Sequence, residues 1–381
     1  MKKLLVIFYI ISILCFISCE EEIGQKPPVY IYQEPIQIDD GWEISSLSAQ
    51  NMDVSLITEM IINVKENVFK NIHGILIIRN EKLVLEEYFP GESFYFGEHI
   101  EYNWNVLHHL ASCTKSFTSA LIGIAFDQGY IIDLNAPLYS FFPEYPEVDW
   151  SGDKQKITLE HLLTMTAGLD WDEWAYSYFD ERNIHYQMYV RADPVKFLLE
   201  VPIEEEPGTT FNYNSGLSVL LGAIIKNSTA LYANQFAELY LFGPLGIEEY
   251  EWEVLGNGTV QTGGGLSLLP RDMGKFGQLY LNGGKWKGEP VISQYWVEES
   301  VRKHITSNWN RYGYGFQWWS DKHYWNGEII DSFFASGLGG QHIFVFPELE
   351  MVVVVTGGNH HTGADPALTM LHQYILPAVY F

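Results

Sequence analysis

Three segments far apart in the chain carry residue types that together can do acyl-transfer chemistry. The first, Ser112-Cys113-Thr114-Lys115, opens an apolar helical pattern (Phe117, Ala120, Leu121, Ile124, Ala125) that stops at Gly129, a good left-handed helix cap. The spacing predicts a helix from Ser112 to Gln128 with Ser112 at its positive end. A step of three sets Ser112 and Lys115 on one helical face, so the ammonium group can reach the hydroxyl. Burial among apolar neighbours favours the neutral, proton-accepting amine, and such an amine can activate a serine without histidine. Taken alone, the same pattern also describes an N-capping serine followed by a solvated lysine.

The second segment, Phe211-Asn212-Tyr213-Asn214-Ser215-Gly216, follows a Pro207-Gly208-Thr209 turn and precedes another apolar helix. Tyr213 therefore sits on a loop against a helix. A phenol titrates near pH 10 in water, and a lysine cation beside it would lower that value, which makes Tyr213 a candidate general base for Ser112. A packed core tyrosine is the competing reading. The third segment, Ala335-Ser336-Gly337-Leu338-Gly339-Gly340-Gln341, leads into an apolar strand from Ile343 to Phe346. Its glycines would let an edge strand approach a substrate closely.

These residues need a scaffold. Near the start, Ile57, Met60, Ile61, Val64 and Val68 recur at three- and four-residue steps, which predicts a helix from Val54 to Phe69. Gly74 to Ile78 and Leu83 to Tyr88 flank the polar Arg79-Asn80-Glu81-Lys82 and read as a hairpin. Gln341 to Phe346 and Met351 to Thr356 read as two more strands around Pro347-Glu348-Leu349-Glu350, and Pro366 to Leu376 as a closing helix. Between the two sheet regions lie helical patterns at Thr158 to Met165, Pro194 to Leu199, Gly216 to Lys226 and Leu231 to Leu241. The organisation predicted is α+β: an antiparallel sheet flanked by helices, with a mostly helical lobe inserted over roughly 112–290. The whole body spans 51–381.

A chain of 381 residues, 47% hydrophobic and 18% charged, can bury a large core. The formal charge of −26 and the absence of a Lys/Arg run disfavour nucleic acid as a partner. Lys2 and Lys3 followed by the apolar stretch Leu4 to Ile17 read as an export signal over 1–19. Phe16-Ile17-Ser18-Cys19 resembles a bacterial lipobox with Cys19 as the lipidated residue, and Glu20-Glu21-Glu22 resembles an acidic tag for the cell surface. The expectation is an exported bacterial lipoprotein, periplasmic or on the outer membrane or cell surface. Residues 20–50, rich in Glu, Pro, Gln and Asp, read as a tether that holds the body off the membrane. Cys113 is the single cysteine outside the signal region, so the body has no disulfide framework.

On these motifs the chain resembles the superfamily of class C serine β-lactamases, penicillin-binding proteins and esterases. Within it the chain most resembles the aminohexanoate-dimer hydrolase-like branch. The likeness runs from about Asp53 to Leu376. It is carried by Ser112-Cys113-Thr114-Lys115, by Leu159 through Leu169, by Tyr213-Asn214-Ser215, by Gly263-Gly264-Gly265-Leu266 with Arg271-Asp272-Met273, and by Tyr312-Gly313-Tyr314-Gly315. The resemblance implies a β-lactamase/transpeptidase-like fold. It also implies Ser112 as the acylated nucleophile, Lys115 and Tyr213 as its proton-transfer pair, and the N–H groups of Ser112 and Leu338 as the oxyanion hole. Two positions depart from the pattern. Ser215 stands where many relatives have asparagine, and the usual lysine of the third motif is absent whether that motif is Ala335-Ser336-Gly337 or Leu338-Gly339-Gly340. Without that cation to hold a substrate carboxylate, neutral esters or amides fit better than β-lactams or D-Ala-D-Ala peptides.

Trp171, Trp174, Tyr176 and Tyr178 fall in a segment that resembles the substrate-covering loop of the relatives, with cleft lining and plain packing as the two readings. Ser215, Trp171, Trp174, Tyr176, Ser336 and Gly337 are thus the candidate substrate-binding residues. His108-His109 and His360-His361 are adjacent pairs whose side chains diverge, and no His-Glu-x-x-His or Cys/His cluster occurs, so no metal site is expected. No Gly-x-Ser-x-Gly elbow or phosphate-binding loop appears either. Cys113 points about a quarter-turn from Ser112 and reads as buried packing. The expected activity is cofactor-free hydrolysis of a small-molecule or peptide ester or amide through an acyl-enzyme. The alternatives are a β-lactamase or D-Ala-D-Ala carboxypeptidase and a non-catalytic surface binding module.

Overall fold

The computed structural model describes residues 30–94, 97–308, 312–360 and 365–380. The expected export signal, Cys19 and the acidic tag lie outside the described residues, as does His361.

Among the described residues, nine strands form one sheet: β1 (Glu43–Ile44), β2 (Ile72–Arg79), β3 (Lys82–Tyr88), β4 (Ile305–Thr306), β5 (Gly313–Tyr314), β6 (Trp319–Trp325), β7 (Glu328–Gly337), β8 (Gln341–Phe346) and β9 (Met351–Gly357). Their spatial order is β1-β3-β2-β9-β8-β7-β6-β5-β4. Every pairing is antiparallel except β1 with β3. The β2–β3 hairpin turns on two residues, Asn80 and Glu81, both with positive φ, which is the backbone that matches the right-handed twist of paired strands. β2, β8 and β9 are buried along their whole length. That explains why they read as continuous apolar runs and not as alternating ones: helices cover both faces.

The chain leaves this sheet after Tyr88 and returns at Ile305. The excursion holds α2 (Thr114–Asp127), α3 (Ser215–Thr229) and α4 (Pro270–Leu281), while α1 (Val54–Lys65) precedes β2. Helix α1 starts on an Asp53 cap, whose carboxylate accepts from the N–H groups of Ser55 and Leu56, and it packs against the C-terminal helical segment that begins at Pro366. It ends at Lys65, one turn short of the expected Phe69, because Asn67 adopts a left-handed φ of 61°. Helix α4 lies on β2, β8 and β9. A Cβ on its Gly277 would come within 2.5 Å of Val352, so glycine there sets how close helix and sheet approach. Helices α2 and α3 pack on each other.

Two expectations need correction. Residues 30–50 are not a free tether: Trp42 and Leu47 are buried, β1 pairs with β3, and the Tyr30 hydroxyl donates to Glu87 at 2.6 Å. Arg271 fastens the segment further, donating to Asp40 at 2.9 Å, to the Ile36 carbonyl at 2.8 Å and to both oxygens of Glu86. The strand that carries Ser336 and Gly337 is not at an edge. It is β7, held between β6 and β8, and its approach to the site occurs at its end.

Candidate active site

Ser112 lies in a single turn of tight helix, Ala111–Cys113, that leads directly into α2. The turn begins with Ala111 at φ 46°, a left-handed conformation that costs an L-residue on the order of 1–2 kcal/mol. Two bonds hold it: the Thr114 hydroxyl donates to the Ala111 carbonyl at 2.7 Å, and the Leu266 N–H donates to the Thr114 hydroxyl at 3.2 Å. The end of β7 presses against the same turn. A Cβ on Gly337 would lie 2.3 Å from the Leu110 carbonyl and 3.1 Å from the Ser112 nitrogen, so only glycine permits this contact.

Lys115, one turn along and buried, meets three oxygens: Ser112 Oγ at 3.0 Å, Ser215 Oγ at 3.0 Å and the Gly263 carbonyl at 2.5 Å. Burial lowers its pKa to about 8, partly opposed by the negative charge of Glu173. The lowered value follows the sequence expectation of a neutral-leaning amine. Tyr213 precedes Asn214, whose side chain caps α3 by accepting from the Leu217 N–H; that cap fixes where the phenol enters. Tyr213 hydrogen-bonds Ser112, and the Lys115 ammonium sits 4.9 Å from the centre of its ring.

The phenol does not titrate as expected. Burial first, then the neighbouring Tyr314 and Glu173, hold the Tyr213 pKa well above its ordinary value, and the bond to Ser112 offsets only part of this. From sequence only the lysine was visible. The structure adds a carboxylate and a second phenol, and Tyr213 rests protonated.

A cavity of about 480 Å³ opens over Ser112. Of the expected contact residues, Ser215, Trp174, Ser336, Gly337 and Leu338 line it, together with Tyr213. Two do not. Trp171 is buried and donates its indole N–H to Glu173 at 2.7 Å. Tyr176 is exposed, with the Arg182 guanidinium 4.2 Å from its ring centre. Adjacent loop positions point in unrelated directions, which no periodicity in the sequence could reveal. Cys113 is buried, its thiol donating to the Gln341 carbonyl at 3.3 Å, and burial pushes its pKa up.

Sequence reasoning missed Glu173. Its carboxylate is wholly buried and accepts four hydrogen bonds: from Trp171 Nε1 at 2.7 Å, the Tyr178 hydroxyl at 2.6 Å, the Ser215 N–H at 2.7 Å and the Ser215 hydroxyl at 2.8 Å. The one available signal was a glutamate set between Trp171 and Trp174 in an aromatic run. Also missed was a group of histidines beside the cavity: His73 Nδ1 lies 2.9 Å from His108 Nε2, and His109 lines the cavity wall. Among the described residues, no three His, Cys, Asp or Glu side chains converge as metal ligands.

The model of the β-lactamase family matches residues 67–372. The 6-aminohexanoate-dimer hydrolase of Paenarthrobacter ureafaciens is 25% identical over 269 residues, which cover 65% of this chain and 65% of that enzyme. The matched part thus spans a little under two thirds of that relative's own length. Among solved structures, the octameric penicillin-binding protein homologue of Pyrococcus abyssi superposes with a TM-score of 0.66 at 19% identity, covering 85% of this chain and 77% of that one. A family VIII carboxylesterase gives 0.65 at 17% identity, covering 84% and 96%. The sheet, the flanking helices and the inserted helical region form the β-lactamase/transpeptidase-like fold that these structures share. With four fifths of its length matched by a single family model and this fold beneath it, the chain belongs to the β-lactamase family.

Proposed function

We propose that the protein is a serine hydrolase that cleaves a neutral ester or amide through an acyl-enzyme on Ser112. The observation that carries this reading is the buried Lys115 amine at 3.0 Å from Ser112 Oγ, which opens onto an aromatic-walled cavity. The Gly263 carbonyl can only accept, and the Ser215 hydroxyl spends its proton on Glu173. A neutral Lys115 therefore points its two protons at Gly263 and Ser215, and its lone pair faces the Ser112 hydroxyl. Ser112 attacks the carbonyl carbon while its proton passes to Lys115. The protonated Tyr213 donates to the departing alcohol or amine, and the Lys115 ammonium then gives up its extra proton to restore the phenol. The backbone N–H groups of Ser112 and Leu338 are assigned to the developing oxyanion. Water then repeats the sequence on the acyl-enzyme.

The third segment brings Ser336 and Leu338 to the cavity, and Glu253 and Asp365 add carboxylates. These groups favour a neutral substrate over the carboxylate-bearing ones of β-lactam and D-Ala-D-Ala chemistry. The relatives point the same way in part, since one is a 6-aminohexanoate-dimer hydrolase and another a carboxylesterase. We further propose export and lipidation at Cys19, which loss of palmitate labelling in Cys19→Ala would support.

A fluorophosphonate probe followed by peptide mass mapping tests the activity. Label on Ser112, abolished in Ser112→Ala, is expected, and label that survives the substitution refutes the assignment. Turnover of a chromogenic cephalosporin far above that of short esters would overturn the substrate class.

A further inference from the structure

We infer that Glu173 is a positioning residue for the Lys115 base: through Ser215 it orients the amine toward Ser112, and it ties that orientation to the loop that walls the cavity. The inference rests on the hydrolase reading above and adds a residue which that reading does not require.

The argument starts from proton counting. A carboxylate offers about four lone-pair sites, and Glu173 fills all four with donors from Trp171, Tyr178 and, twice, Ser215. No site is left for a donor from Lys115, so Glu173 acts on the lysine through the serine. Because the Ser215 proton is committed to Glu173, Ser215 Oγ can meet Lys115 Nζ at 3.0 Å only as an acceptor. Together with the Gly263 carbonyl this fixes two of the three directions about the amine nitrogen, and the third falls on Ser112 Oγ. Replace the carboxylate by a group that does not claim the serine proton, and Ser215 is free to turn that proton toward the lysine lone pair. The amine would then be spent on the wrong hydroxyl.

Charge adds a second effect. Glu173 is wholly buried and two hydrogen bonds from the ammonium group, so its charge favours the protonated lysine. The titratable groups that face this pair are Cys113, Tyr178, His185, Tyr213 and Tyr314. All five carry no charge in the resting site, since burial raises the thiol and the phenols and lowers the imidazole. Glu173 is thus the one negative charge acting on Lys115 among these groups. The coupling to the cavity comes from the donors themselves: Tyr178 lines the cavity and bonds Glu173, and Trp174 packs edge-on to Tyr178 with ring centres 5.8 Å apart. A ligand that moves this aromatic wall pulls on the carboxylate that aims the base.

The test is Glu173→Gln in the whole protein, with two readouts. The first is NMR titration of Lys115 in lysine-labelled protein, which does not depend on turnover. A midpoint near 8 is expected in the unaltered protein, falling by about one unit in the variant as the negative charge is lost. A midpoint that stays where it was overturns the inference. The second is the pH dependence of Ser112 phosphonylation. Its rising limb should follow the same downward shift while the plateau rate drops, by about tenfold or more, because the amine is misdirected. A slower rate with an unmoved limb would mean that Glu173 merely holds the loop, and would also overturn it. Failure of the unaltered protein to label at Ser112 would sink the hydrolase reading, while the lysine titration still decides this one. Should Glu173→Gln not fold, Ser215→Ala removes the bridge and leaves the carboxylate. With the aim of the amine lost, Ser112 phosphonylation should slow by about tenfold, and an unchanged rate there overturns the inference.

Discussion

Two groups of buried titratable side chains border the same cavity, and burial lowers the pKa in both but leaves only one of them titrating near neutral pH. Around Lys115, each proton of the amine has an oxygen to meet and a buried carboxylate lies behind the second of them, so the pKa falls only to about 8. Around His73 and His108 no such carboxylate acts among the described residues. Burial first, and the neighbouring imidazoles second, push His73 to about 3, while burial pushes His108 to about 4 and His109 to about 3. His73 Nε2 is buried and has no hydrogen-bond partner among the described residues. One cluster keeps a group that changes charge near neutral pH, and the other keeps groups that never do. Burial lowers both kinds of group by a similar amount; the amine, which starts near 10.5, lands close to neutral pH, and the imidazoles, which start near 6.5, end far below it.

The largest effect that could break this comparison is expected for Lys115→Ala. It should slow ester hydrolysis and Ser112 phosphonylation by about a thousandfold, while the acid unfolding curve keeps its shape because the histidines are untouched. Activity within tenfold of the unaltered protein would remove Lys115 from the chemistry. Next comes Gly337→Ala. The added methyl would collide with the Leu110 carbonyl and push the Ser112 turn away from its amine, which should cost about a hundredfold in rate. Lys115 should still titrate near 8, because the charges around it are unchanged. This variant separates geometry from titration.

The smallest effect concerns stability. A histidine held neutral when folded and free to protonate when unfolded makes the unfolded state bind more protons, so stability falls as pH drops below about 6.5 and continues to fall until the folded pKa is reached. For His73, His108 and His109 that window runs from about 6.5 down to 3–4. At pH 5.5 each such ring should cost about 1.4 kcal/mol. The groups facing them are His360 and, across His73, the ring of Tyr102. Thermal melts between pH 7 and 5 should show the loss, and His108→Gln should flatten it. An equal slope in the variant would mean that the two clusters do not differ in the way described.

How much of this could be read beforehand follows the distance over which each feature is encoded. Ser112 and Lys115 are three residues apart on one helix, so spacing alone brought them together. The β2–β3 hairpin and the strands β8 and β9 are local apolar runs and were equally legible. Strands β6 and β7 were not: they mix buried with exposed positions and carry the exposed pair Lys322 and Asp331, which hides them among polar loops. The raised phenol of Tyr213 was unreadable because its causes, Tyr314 and Glu173, are distant in sequence and meet it only after folding. Glu173 itself stands in a loop among other acidic residues, Asp170 and Asp172, and nothing local marks which of the three turns inward. Trp171 and Tyr176 failed as contact residues for the same reason.

The way residues 30–50 are strapped to the body has a geometric consequence. On the reading that Cys19 carries a lipid, the span from Cys19 to Tyr30 has eleven residue steps, which reach no further than about 40 Å when fully stretched. With Tyr30 bonded to Glu87 on β3, the protein would work as a short-leashed head that patrols the layer next to its bilayer, and that end of the sheet would be the side turned toward the lipid.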